Sequence, residues 1–309
     1  MTPMDLNRRA LLKIGLAVSA APLLPGLAAA AAGYSFSEGD FDITVLSDGF
    51  ISIPGDILVP DLAQADRAAI LGQIDAPGGV VHAPCNIPLI RKGDELILID
   101  IGSGRKYQPS DGRLTENLKA AGVDPAMITK VVFTHAHPDH IWATLADDGT
   151  LRFPNASYHI GAAEWDFWMR PDFFTAMPSA LHDFARGTQR DLSALRERAV
   201  MLRPGEDVIT GLRAVDTAGH TPGHLSLELG GPQGLLIAGD VVNNEVVSFA
   251  HPDWPFGYDT LPDVAITNRR RFLDHAATDR IRLLGYHWAY PGLGYAERKG
   301  GAYRFVSAT

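Results

Sequence analysis

A chain of 309 residues, 46% apolar and 20% charged, has the composition of a globular fold large enough to bury its core without disulfide staples. Its net charge of −9 weighs against nucleic acid as substrate or partner. The single cysteine, Cys85, excludes an internal disulfide, and no uncharged apolar run of about 18 residues follows the N-terminal segment, so no membrane span is expected there.

The first elements read as an export signal. Arg8-Arg9 stands ahead of the apolar stretch from Ile14 to Leu27, and small residues follow from Ala28 to Ala32. That order of charge, apolar core and small-residue site is that of a twin-arginine signal, which implies a periplasmic or secreted protein. Residues 1–32 are read as the signal and 33–309 as one catalytic domain. Cleavage near Ala32 takes the net charge to −11.

Phe41 to Leu46 alternates as a strand and ends at the turn Ser47-Asp48-Gly49. Leu62 to Ile74 has helical spacing, which Pro77-Gly78-Gly79 breaks. Leu89-Ile90 and Leu96 to Ile99 flank Lys92-Gly93-Asp94 as a hairpin. Cys85 lies just ahead of it, with no grouping of partners that would make it a nucleophile, and reads as a buried thiol. Leu114 to Ala121 is a short amphipathic helix stopped by Gly122. From Ala162 to Ala199 the chain turns helical and aromatic. Val264 to Ala277 is the last helix.

Four short apolar runs share a form. Leu96 to Ile99 ends at Asp100, Val131 to Phe133 runs into His135, Leu235 to Ala238 ends at Asp240, and Ile281 to Leu284 runs into His287. Such runs suit strands buried on both faces. Acids and histidines just past strand ends, on loops above a rigid sheet, are where sites collect.

The segment Thr134-His135-Ala136-His137-Pro138-Asp139-His140 packs three imidazoles and a carboxylate into six residues. These donors suit zinc and similar cations. His135 and His137 can point the same way if extended. Asp139 and His140 can then turn toward a second ion, because one ion would leave donors spare. Later residues have plainer readings when taken alone: His220 as a turn histidine, Asp240 as a helix cap, His287 as a hydrogen-bonded core histidine.

Taken together, His135-x-His137-x-Asp139-His140 followed by His220, Asp240 and His287 resembles the ordered ligand set of the metallo-β-lactamase superfamily, over nearly all of the chain from Asp42 onward. The resemblance implies an α+β four-layer αββα sandwich, two mixed β-sheets covered by helices. It implies His135, His137 and His220 on one metal, Asp139, His140 and His287 on a second, and Asp240 as the bridge. It places Asp100 and His224 behind the ligands. The implied cofactors are two divalent ions, Zn2+ foremost, with Mn2+, Co2+ or Fe2+ accepted by the same donors. Phe41 to Gly49, Asp166-Phe167-Trp168, Pro291-Gly292-Leu293-Gly294 and Gly301 to Val306 are similar to the methyl parathion hydrolase branch, which has quorum-quenching lactonases as neighbours. Where the family has a glycine pair after its last motif histidine, this chain has Ile141-Trp142-Ala143-Thr144.

The function implied is hydrolysis of an ester, lactone or phosphotriester of a small apolar or aryl substrate, by a hydroxide held between the two metals. Dications lower the pKa of bound water from about 15.7 to about 7. Asp240 and Asp139 are the expected catalytic carboxylates, Asp139 as a proton shuttle to the leaving group. Trp142, Trp165, Trp168 and Phe249 are expected to line the substrate pocket, with Phe167, Phe173, Phe174, Trp254, Phe256 and Tyr258 as further candidates. Alternatives are a persulfide-dioxygenase-like enzyme with one iron, a thioesterase, and a non-catalytic metal-binding scaffold. Ile57-Leu58-Val59 and the aromatic helices are the expected contacts of a homodimer.

Overall fold

The computed structural model describes residues 33–76 and 78–309, so the segment read as an export signal lies outside the described residues. In chain order the strands are β1 (Tyr34–Glu38), β2 (Phe41–Pro54), β3 (Val80–Lys92), β4 (Glu95–Ile99), β5 (Lys130–Val132), β6 (Ser157–Gly161), β7 (Ala199–Leu202), β8 (Asp207–Ile209), β9 (Leu212–Asp216), β10 (Leu225–Leu229), β11 (Leu235–Ile237), β12 (Arg282–Leu284), β13 (Leu293–Lys299) and β14 (Ala302–Ser307). The helices are α1 (Gly55–Leu58), α2 (Gln64–Gln73), α3 (Leu114–Ala120), α4 (Pro138–Ile141), α5 (Ala162–Met169), α6 (Phe173–Ala176), α7 (His182–Leu195), α8 (Val247–Ala250) and α9 (Pro262–Asp279).

β1 to β7 form one seven-stranded sheet in sequence order, and β8 to β14 form a second. Both are mixed. β1 to β4 pair antiparallel and β4 to β7 parallel, while in the second sheet only β11 and β12 pair parallel.

The apolar runs are explained by burial on both faces. In β4, Ile97 and Ile99 point into the layer between the sheets, where they join Leu227, Leu229 and Ile237 of the opposite sheet. Leu96 and Leu98 point outward and pack with Leu114 and Leu118 of α3. In β11, Leu235 and Ile237 face inward, whereas Leu236 joins Phe272, Leu273 and Ala276 of α9 outside. On α9 the buried positions Ala265, Asn268, Arg269, Phe272, Leu273 and Ala276 follow helical spacing along one face. Helices therefore cover both outer faces, giving the four-layer αββα sandwich.

One expected boundary is corrected. β2 does not stop at Ser47-Asp48-Gly49 but continues to Pro54, with a register shift between Ser47 and Phe50. The residues taken for a turn form a bulge. Gly49 has φ 103°, and a Cβ there would lie 2.2 Å from the Ser110 carbonyl oxygen, so the bulge needs glycine. The Asp48 carboxylate is turned inward, where it accepts from the backbone N–H groups of Ser103, Gly112 and Leu114. The extension carries Ile51 and Ile53 to the site described below.

Leu58 and Val59 are buried in the chain's own core, which leaves that segment little apolar surface for a second copy. Among the described residues no helix is long and apolar enough to cross a membrane.

Candidate metal centre and substrate cleft

The loops at one edge of the two sheets bring seven side chains together. His135 and His137 follow β5, Asp139 and His140 lie on α4, His220 follows β9, Asp240 follows β11 and His287 follows β12. All seven are at least nine-tenths buried.

His137 Nδ1 is 3.0 Å from His135 Nε2 and 2.9 Å from His220 Nε2, so three imidazole nitrogens meet at one point. On the other side, His287 Nε2 lies 3.3 Å and His140 Nε2 3.5 Å from Asp139 Oδ2. Asp240 stands between the groups. Its Oδ2 is 3.4 Å from His220 Nε2 and 3.3 Å from His287 Nε2, and its Oδ1 is 3.4 Å from His140 Nε2.

Groups behind the imidazoles set which nitrogen faces inward. The Nδ1–H of His140 donates to Asp100 Oδ2 at 2.9 Å, that of His220 to Asp259 Oδ1 at 3.0 Å, and that of His287 to the Pro84 carbonyl at 2.9 Å. A carboxylate or carbonyl can only accept, so the proton sits on Nδ1 and Nε2 faces the cluster. His224, expected close behind the cluster, accepts the Asp240 backbone N–H through Nε2 at 2.9 Å. Burial lowers its pKa to about 3 and keeps it neutral.

The charge pattern is that of a cation site. Burial holds His135 and His137 well below the usual imidazole range. Burial opposes ionisation of Asp139 and Asp240, but His140 and His287 outweigh it and both carboxyls are held low. For His140 burial is likewise outweighed, by Asp139, Asp240 and Asp100, which raise it to about 9. Asp139 Oδ2, His140 Nε2 and Asp240 Oδ1 are buried without a hydrogen-bond partner. Nitrogen and carboxylate donors converging with unpartnered atoms fit a pair of divalent cations, which would take the place of the protons.

Above the cluster opens a narrow cleft. Its floor includes His137, Asp139, His220, Asp240 and His287, and its walls include Ile51, Ile53, Tyr107, Phe184, Phe256 and Tyr258. Of the aromatic residues expected to line it, only Phe256 and Tyr258 do. Phe249 is fully buried against Trp288 and Phe305, behind the second sheet. Trp168 is fully buried, with its ring 5.9 Å from the His137 ring and stacked on Phe173. Trp165 is half-buried in the helical layer. Trp142 stands one layer back, edge-on to Tyr107 and Phe184. The reason is common to these four. Aromatic density marks apolar surface needing cover, and the fold packs it inside the core or against it rather than in the mouth.

Several residues of the centre carried no signal in the sequence. Asp259 sits in an aperiodic loop, where it also accepts from Arg269 Nη2 at 2.9 Å. Tyr286 stacks on His140 and donates its O–H to the Asp139 carbonyl at 2.6 Å. Cys85 is buried as expected, yet its sulfur comes within 4.8 Å of donor atoms of Asp139 and His287. Glu164 is the one residue with a legible trace, an acid four positions before Trp168 in a largely apolar helix.

A model of the metallo-beta-lactamase superfamily matches residues 81–286. The chain belongs to that superfamily. Among solved members, AidC, a dizinc quorum-quenching lactonase in complex with a product, N-hexanoyl-L-homoserine, superposes with TM-score 0.83 at 28% identity, covering 90% of this chain and 98% of that one. The hydrolase AbOPH matches as well, with TM-score 0.83, 29% identity and the same coverage. The N-acyl homoserine lactonase AttM of Rhizobium radiobacter is 31% identical over 126 residues, 38% of this chain. That match spans about two fifths (41%) of AttM itself.

Proposed function

We propose that this chain is a metal-dependent hydrolase that holds two divalent cations, zinc foremost, and opens the ester or lactone bond of a small apolar substrate. The observation that supports this reading is the convergence of seven buried donors, three of their atoms unpartnered, beneath a cleft whose walls include Ile51, Ile53, Phe184 and Phe256. Lactones stand ahead of phosphotriesters because AttM and AidC are lactonases.

His135, His137 and His220 would hold one cation, Asp139, His140 and His287 the other, and Asp240 both. When bound, the pair supplies Lewis acidity and an ionised water near neutral pH. Ile51, Ile53, Phe184 and Phe256 exclude solvent and bind an acyl or aryl group. Tyr107 and Tyr258 stand on the cleft wall with their pKa values raised, chiefly by burial, so both phenols are protonated donors for the substrate's oxygens. Asp139 lines the cleft, and its carboxylate is the group from which a proton would pass to the leaving oxygen.

The test is turnover by protein reconstituted with zinc, manganese or cobalt, on N-acyl homoserine lactones, aryl esters and aryl phosphotriesters. Lactone or ester hydrolysis that chelation abolishes supports the reading. Two bound cations with no turnover on any substrate would overturn it. We further propose export through the twin-arginine segment. An Arg8→Lys/Arg9→Lys variant should stay in the cytoplasm, and unchanged fractionation would refute export by that route.

A further inference from the structure

Glu164 touches none of the seven donors. It lies fully buried on α5, yet it accepts from three N–H groups. Oε1 takes the backbone N–H of Ala136 at 2.9 Å and the indole N–H of Trp168 at 2.7 Å, and Oε2 takes the backbone N–H of Gly223 at 3.1 Å. Ala136 is the residue between His135 and His137. Gly223 closes the turn that begins at His220. One carboxylate therefore ties together the two loops that present three imidazoles. It makes no hydrogen bond to α4, to the loop after β11 or to the loop after β12, which present the other four donors.

The surroundings reinforce the tie. Thr188 Oγ1 on α7 donates to the Ala136 carbonyl at 2.8 Å, so both backbone polar groups of Ala136 are held. A Cβ on Gly223 would lie 1.9 Å from the Glu164 backbone nitrogen, so the loop lies directly on the first turn of α5. A buried carboxylate is costly unless hydrogen-bonded, and removing one partner leaves others unpaired. An apolar side chain would fill the same space without that cost but would leave two loop amides unpartnered.

We infer that Glu164 is a positioning residue that holds the His135–His137 loop and the His220 loop at the spacing where their three imidazoles share one cation. This rests on the two-cation reading above. Its effect is confined to one half of the centre, because only those loops meet Glu164. Groups behind metal ligands typically carry about 10- to 100-fold in metal affinity.

The experiment compares wild type, Glu164→Gln and Glu164→Asp by zinc titration against a chromophoric chelator, with amide hydrogen exchange on the metal-free proteins. In Glu164→Gln the amide oxygen can keep the two contacts of Oε1 while its NH2 meets the Gly223 N–H. In Glu164→Asp the shorter side chain cannot span both loops. The expected result is one cation weakened about 10- to 100-fold and the other unchanged, with faster exchange at Gly223 in both variants and at Ala136 in Glu164→Asp. Equal weakening of both cations, or unchanged affinity and exchange in a folded variant, would overturn the inference. Fewer than two cations on the wild type would overturn it together with the reading beneath it. If one variant fails to fold, the other still decides the outcome.

Discussion

Asp100 and His140 meet at 2.9 Å across 40 residues of chain, the carboxylate just past the end of β4 holding the imidazole of the short helix α4 that follows β5. Asp100 also accepts from the backbone N–H and the hydroxyl of Thr134, both at 2.8 Å, so it is itself anchored to the loop it serves. It takes φ 60°, a conformation that Asn adopts readily. Asp100→Asn therefore removes charge without adding backbone strain. It should weaken the cation shared by His140 and His287 about 10- to 100-fold. Unchanged affinity in chelator competition would refute the orienting role.

The two phenols of the cleft can be tested without disturbing its walls. Tyr107→Phe and Tyr258→Phe keep the rings that pack on Phe184 and remove only the hydroxyls. Each should lower kcat/KM by about tenfold, about 1.4 kcal/mol of transition-state stabilisation. A pair of variants with wild-type kcat/KM on every accepted substrate would leave the phenols no part in recognition.

Phe249→Ala should separate packing from binding. Phe249 is fully buried between Trp288 and Phe305. Its truncation should cost about 3–5 kcal/mol in urea unfolding and leave KM of the folded enzyme unchanged. A raised KM at unchanged stability would return Phe249 to the pocket.

Acid stability has an identifiable contributor away from the metal centre. His159 is buried on β6, where burial first and Lys130 second lower its pKa to about 4, against a partial opposing effect of Glu95. An unfolded histidine titrates near 6.5. Between these values the unfolded chain binds the proton and the folded chain does not, so stability is full above about 6.5 and falls as pH drops toward 4. The loss is about 3 kcal/mol at most. His159→Gln should lose less stability than wild type between pH 7 and pH 4. Equal losses in urea titrations at the two pH values would dismiss His159 as a source.

Chelation should lower the melting temperature, since cations that bind the folded centre and not the unfolded chain stabilise the fold by mass action. Restoring zinc to about a hundred times its Kd should return about 2.7 kcal/mol per site. A melting temperature insensitive to chelator and zinc would contradict the two-cation reading.

The amino-acid sequence by itself determined the buried strands and the donors at their ends. An apolar run such as Leu96 to Ile99 is stable only between two covered faces, and His135-x-His137-x-Asp139-His140 is dense enough to be recognised in one dimension. It could not determine what stands behind or above the donors. Asp259 reaches His220 and Glu164 reaches Gly223 across 39 and 59 residues, contacts that leave no local period. The bulge at Gly49 resembled a turn because the same residue types serve both, and only pairing of both halves of β2 with β3 distinguishes them. The aromatic residues misled for a related reason. Hydrophobicity requires burial but does not say against what, so packing alone sent Trp168 and Phe249 into the core and left Ile51, Ile53, Tyr107 and Tyr258 to face the cleft.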